Sequence, residues 1–154
     1  SVTGSTPSES GIGMQRADFY QLKSDDPASR YPLLCRLLEK AVGSGQQVYI
    51  QCRDDAEASH LDVYIWAFKP DSFIAHVCAG DDAVAPIVLG HPNTAEENYP
   101  KQRDICLNLS HQLAPKEFER IIEVVTQDPD MILITRQHYR SYQQQGRSMQ
   151  YHKL

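Results

Sequence analysis

Short runs of β-branched, aromatic and cysteine residues recur along this chain, separated by longer stretches whose apolar residues return every three or four positions. Runs of the first kind suit buried strands and those of the second suit amphipathic helices. Their alternation favours a mainly parallel sheet with both faces covered. Strands are predicted over residues 17–22 (ADFYQL), 48–52 (VYIQC), 73–78 (FIAHVC), 105–109 (ICLNL) and 121–126 (IIEVVT), with 121–126 the last long one. Residues 87–89 read as a short edge strand. Asp26-Pro27 offers an N-cap and a first-turn proline to a helix with Tyr31, Leu34, Leu38 and Ala41 on its apolar stripe, and Gly43-Ser44-Gly45 stops it. Asp54 followed by Glu57 makes a capping-box start for a second helix, which runs to about Phe68 and ends before Pro70. Asp128-Pro129 opens a third, extending to about Gln145.

A length of 154 residues suits one domain with its own core. Residues 1–13 are small, polar and without periodicity, and read as an appended, disordered leader; residues 14–154 read as a single α/β domain. The leader lacks the basic start and apolar core of a secretory signal, and no apolar run approaches the ~18 residues of a membrane span, so a cytoplasmic chain is expected. Cys35, Cys52, Cys78 and Cys106 stand singly within apolar runs with no C-x-x-C pair, a pattern of buried free thiols rather than of zinc or disulfides.

The chemistry-bearing residues do not assemble into an active site. A doubly wound sheet that binds nucleotides needs glycines after its first strand, so that backbone N–H groups can approach phosphate. Here that turn is Lys23-Ser24-Asp25-Asp26-Pro27, whose carboxylates repel phosphate and whose proline removes a donor. No G-x-S-x-G turn is present. Ser59-His60 and Ser110-His111 are adjacent pairs with no third partner, Asp54-Asp55 belongs to a helix start, and Asp81-Asp82 follows Gly80 in a turn. No catalytic residue, metal or cofactor is expected. The competing reading is a small-molecule or nucleotide-binding enzyme on the same Rossmann-like sheet.

Two features go beyond a plain globular domain. Ala58, Leu61, Ile65 and Phe68 share one face of the second helix, which leaves Trp66 off that stripe, either covered by a loop or open to a partner. Charge is also uneven: residues 131–154 carry Arg136, Arg140, Arg147 and Lys153 with no Asp or Glu, so +4 there leaves −9 for the rest of a net −5. On the third helix Met131, Ile134, His138 and Tyr142 form one face, and Arg136, Arg140, Gln143 and Arg147 another, with Tyr139 between them. Such a stripe is a solvated basic face, a seat for an acidic peptide or a nucleic-acid contact; the acidic body and single bordering aromatic disfavour the last.

Several spaced residues carry a resemblance. Phe19-Tyr20, Leu61-Asp62 with Trp66, Ser72-Phe73, His76, Ala79-Gly80, Arg103-Asp104-Ile105, and then Arg136, Tyr139, Tyr142 and Gly146 occur in an order that resembles the chi accessory subunits of bacterial DNA polymerase III, over residues 16–146. The resemblance implies a three-layer α/β/α, Rossmann-like fold with no nucleotide site, and a non-catalytic replication subunit with two protein partners. The first is the psi subunit, which links chi to the clamp loader and maps to Trp66 and Phe73, with Ile87 as a further candidate. The second is the acidic C-terminal tail of single-stranded-DNA-binding protein, ending in Pro-Phe, for which Arg136, Tyr139, Arg140 and Gly146 match the site, with Gln143 alongside. Direct nucleic-acid or membrane binding is not implied. Ile132 and Gln143 stand where relatives can carry basic residues, so the acidic part of the tail is expected to be held less strongly, or by Arg147 instead.

Overall fold

Seven strands, all parallel, make one sheet in a computed structural model that describes residues 15–68, 75–80 and 85–154. In chain order the elements are β1 (Arg16–Gln21), a 3-10 turn (Pro27–Ser29), α1 (Arg30–Gly43), β2 (Val48–Gln51), α2 (Asp55–Phe68), β3 (His76–Cys78), β4 (Ile87–Gly90), a 3-10 turn (Glu96–Asn98), β5 (Ile105–Asn108), β6 (Arg120–Val125), α3 (Pro129–Gln144) and β7 (Ser148–Lys153). The spatial order is β3-β4-β2-β5-β6-β1-β7. Among the described residues no helix is long and apolar enough to cross a membrane.

Side-chain alternation divides the core in two. Val48, Ile50, Ile105, Leu107 and Ile122 point to the face covered by α1 and α2. Phe19, Tyr49, Cys106 and Ile121 point to the other, where Phe118 and Tyr142 cover them. Cys35, Cys52 and Cys106 are buried free thiols, and burial pushes the Cys35 thiol up to about 11.

The fold departs from the sequence reading in four places. Residues 87–90 are not an edge strand: β4 lies between β2 and β3, and Ile87 is wholly buried, so its side chain offers a partner nothing. Its brevity suggested an edge, but the actual edges are β3 and β7. The strand over 121–126 is not the last one, because β7 follows α3 and pairs in parallel with β1 from Arg16↔Ser148 to Gln21↔Lys153. The helix expected from Asp26-Pro27 opens instead as a 3-10 turn, with α1 beginning at Arg30; the expected strand at 73–78 is described only from His76, and Phe73 lies outside the described residues, as does the leader over residues 1–13.

Arg147 is the fourth departure. It is buried, and its guanidinium donates to the carbonyls of Arg16, Glu119, Lys116 and Phe118 at 2.9–3.3 Å. It therefore ties the β6 approach to β1 and cannot anchor a peptide at the surface.

The crevice in which this class of sheet binds nucleotides is filled. Connections leaving β2 and β5 depart to opposite faces, which creates a switch point beyond their carboxyl ends. There Arg30 donates to the Leu109 carbonyl at 3.1 Å and pairs with Glu57 at 3.4 Å, while Tyr31 donates to Glu57 at 2.9 Å. Gln51 occupies the same mouth, donating to Asn108, Ser110 and the Leu113 carbonyl. Glu57, which the sequence assigns to a helix cap, also accepts from the Arg53 amide, so one side chain caps α2 and closes the crevice.

Replacing Arg147 with Ala removes the buried donor shared by four carbonyls and is expected to cost about 3 kcal/mol. Urea denaturation should show a lower midpoint with an unchanged slope.

Candidate functional site

The third helix begins where its sequence says it should. The Asp128 carboxylate accepts from the Met131 amide at 3.0 Å, and Pro129 fills the first turn. Its rotation about its own axis is set from below by Glu123 on β6, whose buried carboxylate accepts from the Tyr142 hydroxyl, from Asn108 at 3.1 Å and from His138 Nδ1 at 2.8 Å. His138 Nε2 faces the His111 carbonyl at 3.1 Å. With an acceptor at each ring nitrogen, both must donate, so the ring is an imidazolium paired with Glu123. Burial works against that charge, but the Glu123 carboxylate and the His111 carbonyl outweigh it and raise the His138 pKa.

His138 and Tyr142, four residues apart, thus point inward, and the predicted basic face turns outward. Arg136, Arg140 and Gln143 are exposed, and Tyr139 is half-buried against Phe19, with ring centroids 5.3 Å apart. Between this flank of α3 and the carboxyl ends of β1, β6 and β7 lies a cavity of about 560 Å³. Arg136, Tyr139, Arg140 and Gln143 line one wall, with Ile132 and Thr135 from the same helix. Gln21, Val125, Gln127 and Tyr151 line the other. No acidic residue takes part, and among the described residues neither Arg136 nor Arg140 belongs to a salt bridge. Two like charges at i and i+4 work against the helix by a few tenths of a kcal/mol. An uncompensated cationic pair over an apolar, aromatic hollow suits an anionic ligand with an apolar end.

Gly146, expected at the same site, does not line this cavity. Its φ of +85° lets the helix end in a Schellman turn, with Gly146 N bonding Gln143 O at 3.0 Å and Arg147 N bonding Tyr142 O at 3.3 Å. That reversal sends the chain into β7 and so carries Tyr151 to the far wall. Sequence reasoning missed Tyr151, Gln21, Val125 and Gln127, because a wall shared by three strand ends has no signature in local spacing.

Trp66 sits elsewhere. It is 50% exposed on α2, its ring 4.7 Å from that of His76 on edge strand β3, with exposed Val63 on the same helix. The ring is thus packed on one side and half exposed on the other. His76 Nε2 also meets Asp62 Oδ1 at 2.9 Å, which fixes the ring under the indole.

A Rossmann-like α/β domain with a filled switch crevice and a basic, aromatic cavity at the flank of its last helix is the class that this geometry defines. The family described as "DNA polymerase III chi subunit, HolC" matches residues 14–150, and the chain belongs to that family. It is 40% identical over 144 residues to DNA polymerase III subunit chi of Pseudomonas aeruginosa, covering 92% of this chain and 98% of the relative. The subunit chi of Escherichia coli is 27% identical over 141 residues, covering 86% and 94%, and that of Haemophilus influenzae is 26% identical over 132 residues, covering 84% and 91%.

The His138–Glu123 pair yields a pH dependence. The folded pKa of His138 lies above the unfolded value of about 6.5, so its stabilisation is complete below that pH and lost as pH rises through the folded value. Denaturation from about pH 6 to 9 should show stability declining with pH in the wild type. In His138→Gln, that part of the slope should be absent.

Proposed function

We propose that this chain is a non-catalytic accessory subunit of DNA polymerase III, working in the cytoplasm, that joins the clamp loader, through the psi subunit, to the acidic C-terminal tail of single-stranded-DNA-binding protein. The observation that carries the reading is the acid-free cavity beside α3, with Arg136 and Arg140 above Tyr139. A tail ending in Pro-Phe brings a terminal carboxylate, which a guanidinium fork can take in two hydrogen bonds, and an aromatic ring for the hollow beneath. Aspartates further up the tail meet the remaining positive charge. Burying the Phe contributes about 2 kcal/mol and a charged hydrogen bond about 1.5–3 kcal/mol; after the cost of association the affinity comes to roughly micromolar.

The psi subunit is assigned to the exposed Trp66 on α2. With Ile87 buried and Phe73 outside the described residues, Trp66 and its neighbour Val63 are the described side chains that support that surface. α2 covers one face of the sheet near edge β3, and α3 covers the other near edge β7. Six strand spacings of ~4.8 Å put the two edges roughly 30 Å apart, which supports simultaneous occupancy.

Arg136→Ala should weaken binding of a tail peptide by at least about tenfold in calorimetric titration, while folding stability stays within about 0.5 kcal/mol. Binding by the wild type should also fall steeply with salt. Trp66→Ala should leave the tail titration unchanged and reduce psi binding by more than about tenfold. Undiminished tail affinity in Arg136→Ala would contradict the assignment of the basic flank. Loss of both partners in Trp66→Ala would make that tryptophan a structural residue.

A further inference from the structure

Trp66 stands in the last turn of α2, which ends at Phe68. The carbonyls of a last turn have no partner further along the helix, so a helix end frays unless something outside holds it. Here the hold comes from edge strand β3, which pairs with β4 through His76↔Ile87. The His76 side chain is wholly buried, and its Nε2 meets two oxygens of one residue, Asp62 Oδ1 at 2.9 Å and the Asp62 carbonyl at 3.1 Å. Two acceptors at one nitrogen place a hydrogen on it, so the imidazole donates to α2.

An α-helix pairs each carbonyl with the amide four residues on, so the Asp62 carbonyl is also the helical acceptor for the Trp66 N–H. One imidazole therefore reaches Trp66 twice: through the carbonyl that holds its backbone, and directly against its ring, with centroids 4.7 Å apart and planes tilted by 47°. Asp62 and Trp66, four residues apart, lie on the same side of α2, and both engage the same imidazole. An indole free to move in the unbound chain loses that freedom on binding, at a cost in affinity, whereas one already held does not. We infer that His76 is a positioning residue for the psi subunit, holding Trp66 in the free chain in the orientation that the partner takes up. The inference rests on the assignment of psi to Trp66 and gives Asp62 and His76 a shared part in that site.

The test measures psi binding and tail-peptide binding by the full chain carrying His76→Ala, His76→Phe, Trp66→Ala, or His76→Ala together with Trp66→Ala. His76→Ala should weaken psi binding about three- to tenfold, the cost of ordering one large side chain, and leave tail affinity unchanged. Trp66 is the chain's one tryptophan, so its emission anisotropy in the free chain reports its motion and should fall in His76→Ala. A residue that acts through Trp66 has nothing left to position once the indole is gone. In the Trp66→Ala background, His76→Ala should therefore change psi affinity by less than about twofold. His76→Phe fills the same space without the Nε2 donor, which guards against a folding failure, and should fall between wild type and His76→Ala in both readouts. Wild-type psi affinity in both His76 variants, with Trp66→Ala still impaired, overturns the inference and leaves the psi assignment standing. A His76→Ala loss as large without Trp66 as with it also overturns the inference, because it makes His76 a structural residue or a contact in its own right. Undiminished psi affinity in Trp66→Ala overturns the psi assignment and this inference together.

Discussion

The Glu123 carboxylate, buried beneath α3, accepts from a tyrosine, an asparagine and a histidinium, and what the surface presents depends on it. A buried carboxylate without such donors would be strongly unfavourable, so its three partners are held where they can reach it. Two of them, His138 and Tyr142, belong to α3 and lie four residues apart, which fixes the helix's rotation as well as its position. Arg136 and Arg140 then have one available direction, outward over the ends of β1 and β6. The Schellman turn at Gly146 and the anchored guanidinium of Arg147 return the chain along β1, which closes the far side of the same hollow.

The placement of this cavity sets the chain apart from nucleotide-binding sheets of similar topology. In those, binding occurs in the crevice where connections diverge to opposite faces. Here Arg30 and Tyr31 donate to Glu57 in that crevice, and Gln51 donates to Asn108 and Ser110 at its mouth. The basic, aromatic cavity lies instead beside an edge strand, on the flank of a helix. The strand order puts Trp66 near the opposite edge and on the opposite face, an arrangement suited to holding two partners apart.

Much of this could be read from residues in order, because local chemistry governs it. The caps Asp54 with Glu57 and Asp128-Pro129 each start a helix where expected, since an N-cap acts within a single turn, whereas Asp26-Pro27 caps a 3-10 turn that leads into α1. The outward set Arg136, Arg140 and Gln143 follows from helical period alone. What escaped is non-local. β7 is a half-exposed edge strand of polar residues (SMQYHK), so it lacks the apolar run that marks a buried strand. Arg147 looks like part of a basic stripe until the chain reversal at Gly146 turns it inward toward four carbonyls. Ile87 was assigned to an edge because its strand is short, whereas position in a sheet is decided by pairing with β2 and β3, which no local pattern records.

If the two separated surfaces act at once, tail peptide and psi bind without competing, which an order-of-addition titration decides. Tail-peptide affinity is measured by fluorescence anisotropy for the chain alone and for the chain saturated with psi subunit. Dissociation constants within about twofold of each other, and a ternary complex that elutes as a single species, are expected, since sites so far apart should contribute independently. Displacement of the peptide by psi, or a loss of affinity beyond about tenfold, would contradict it, because it would place both partners on a single shared surface.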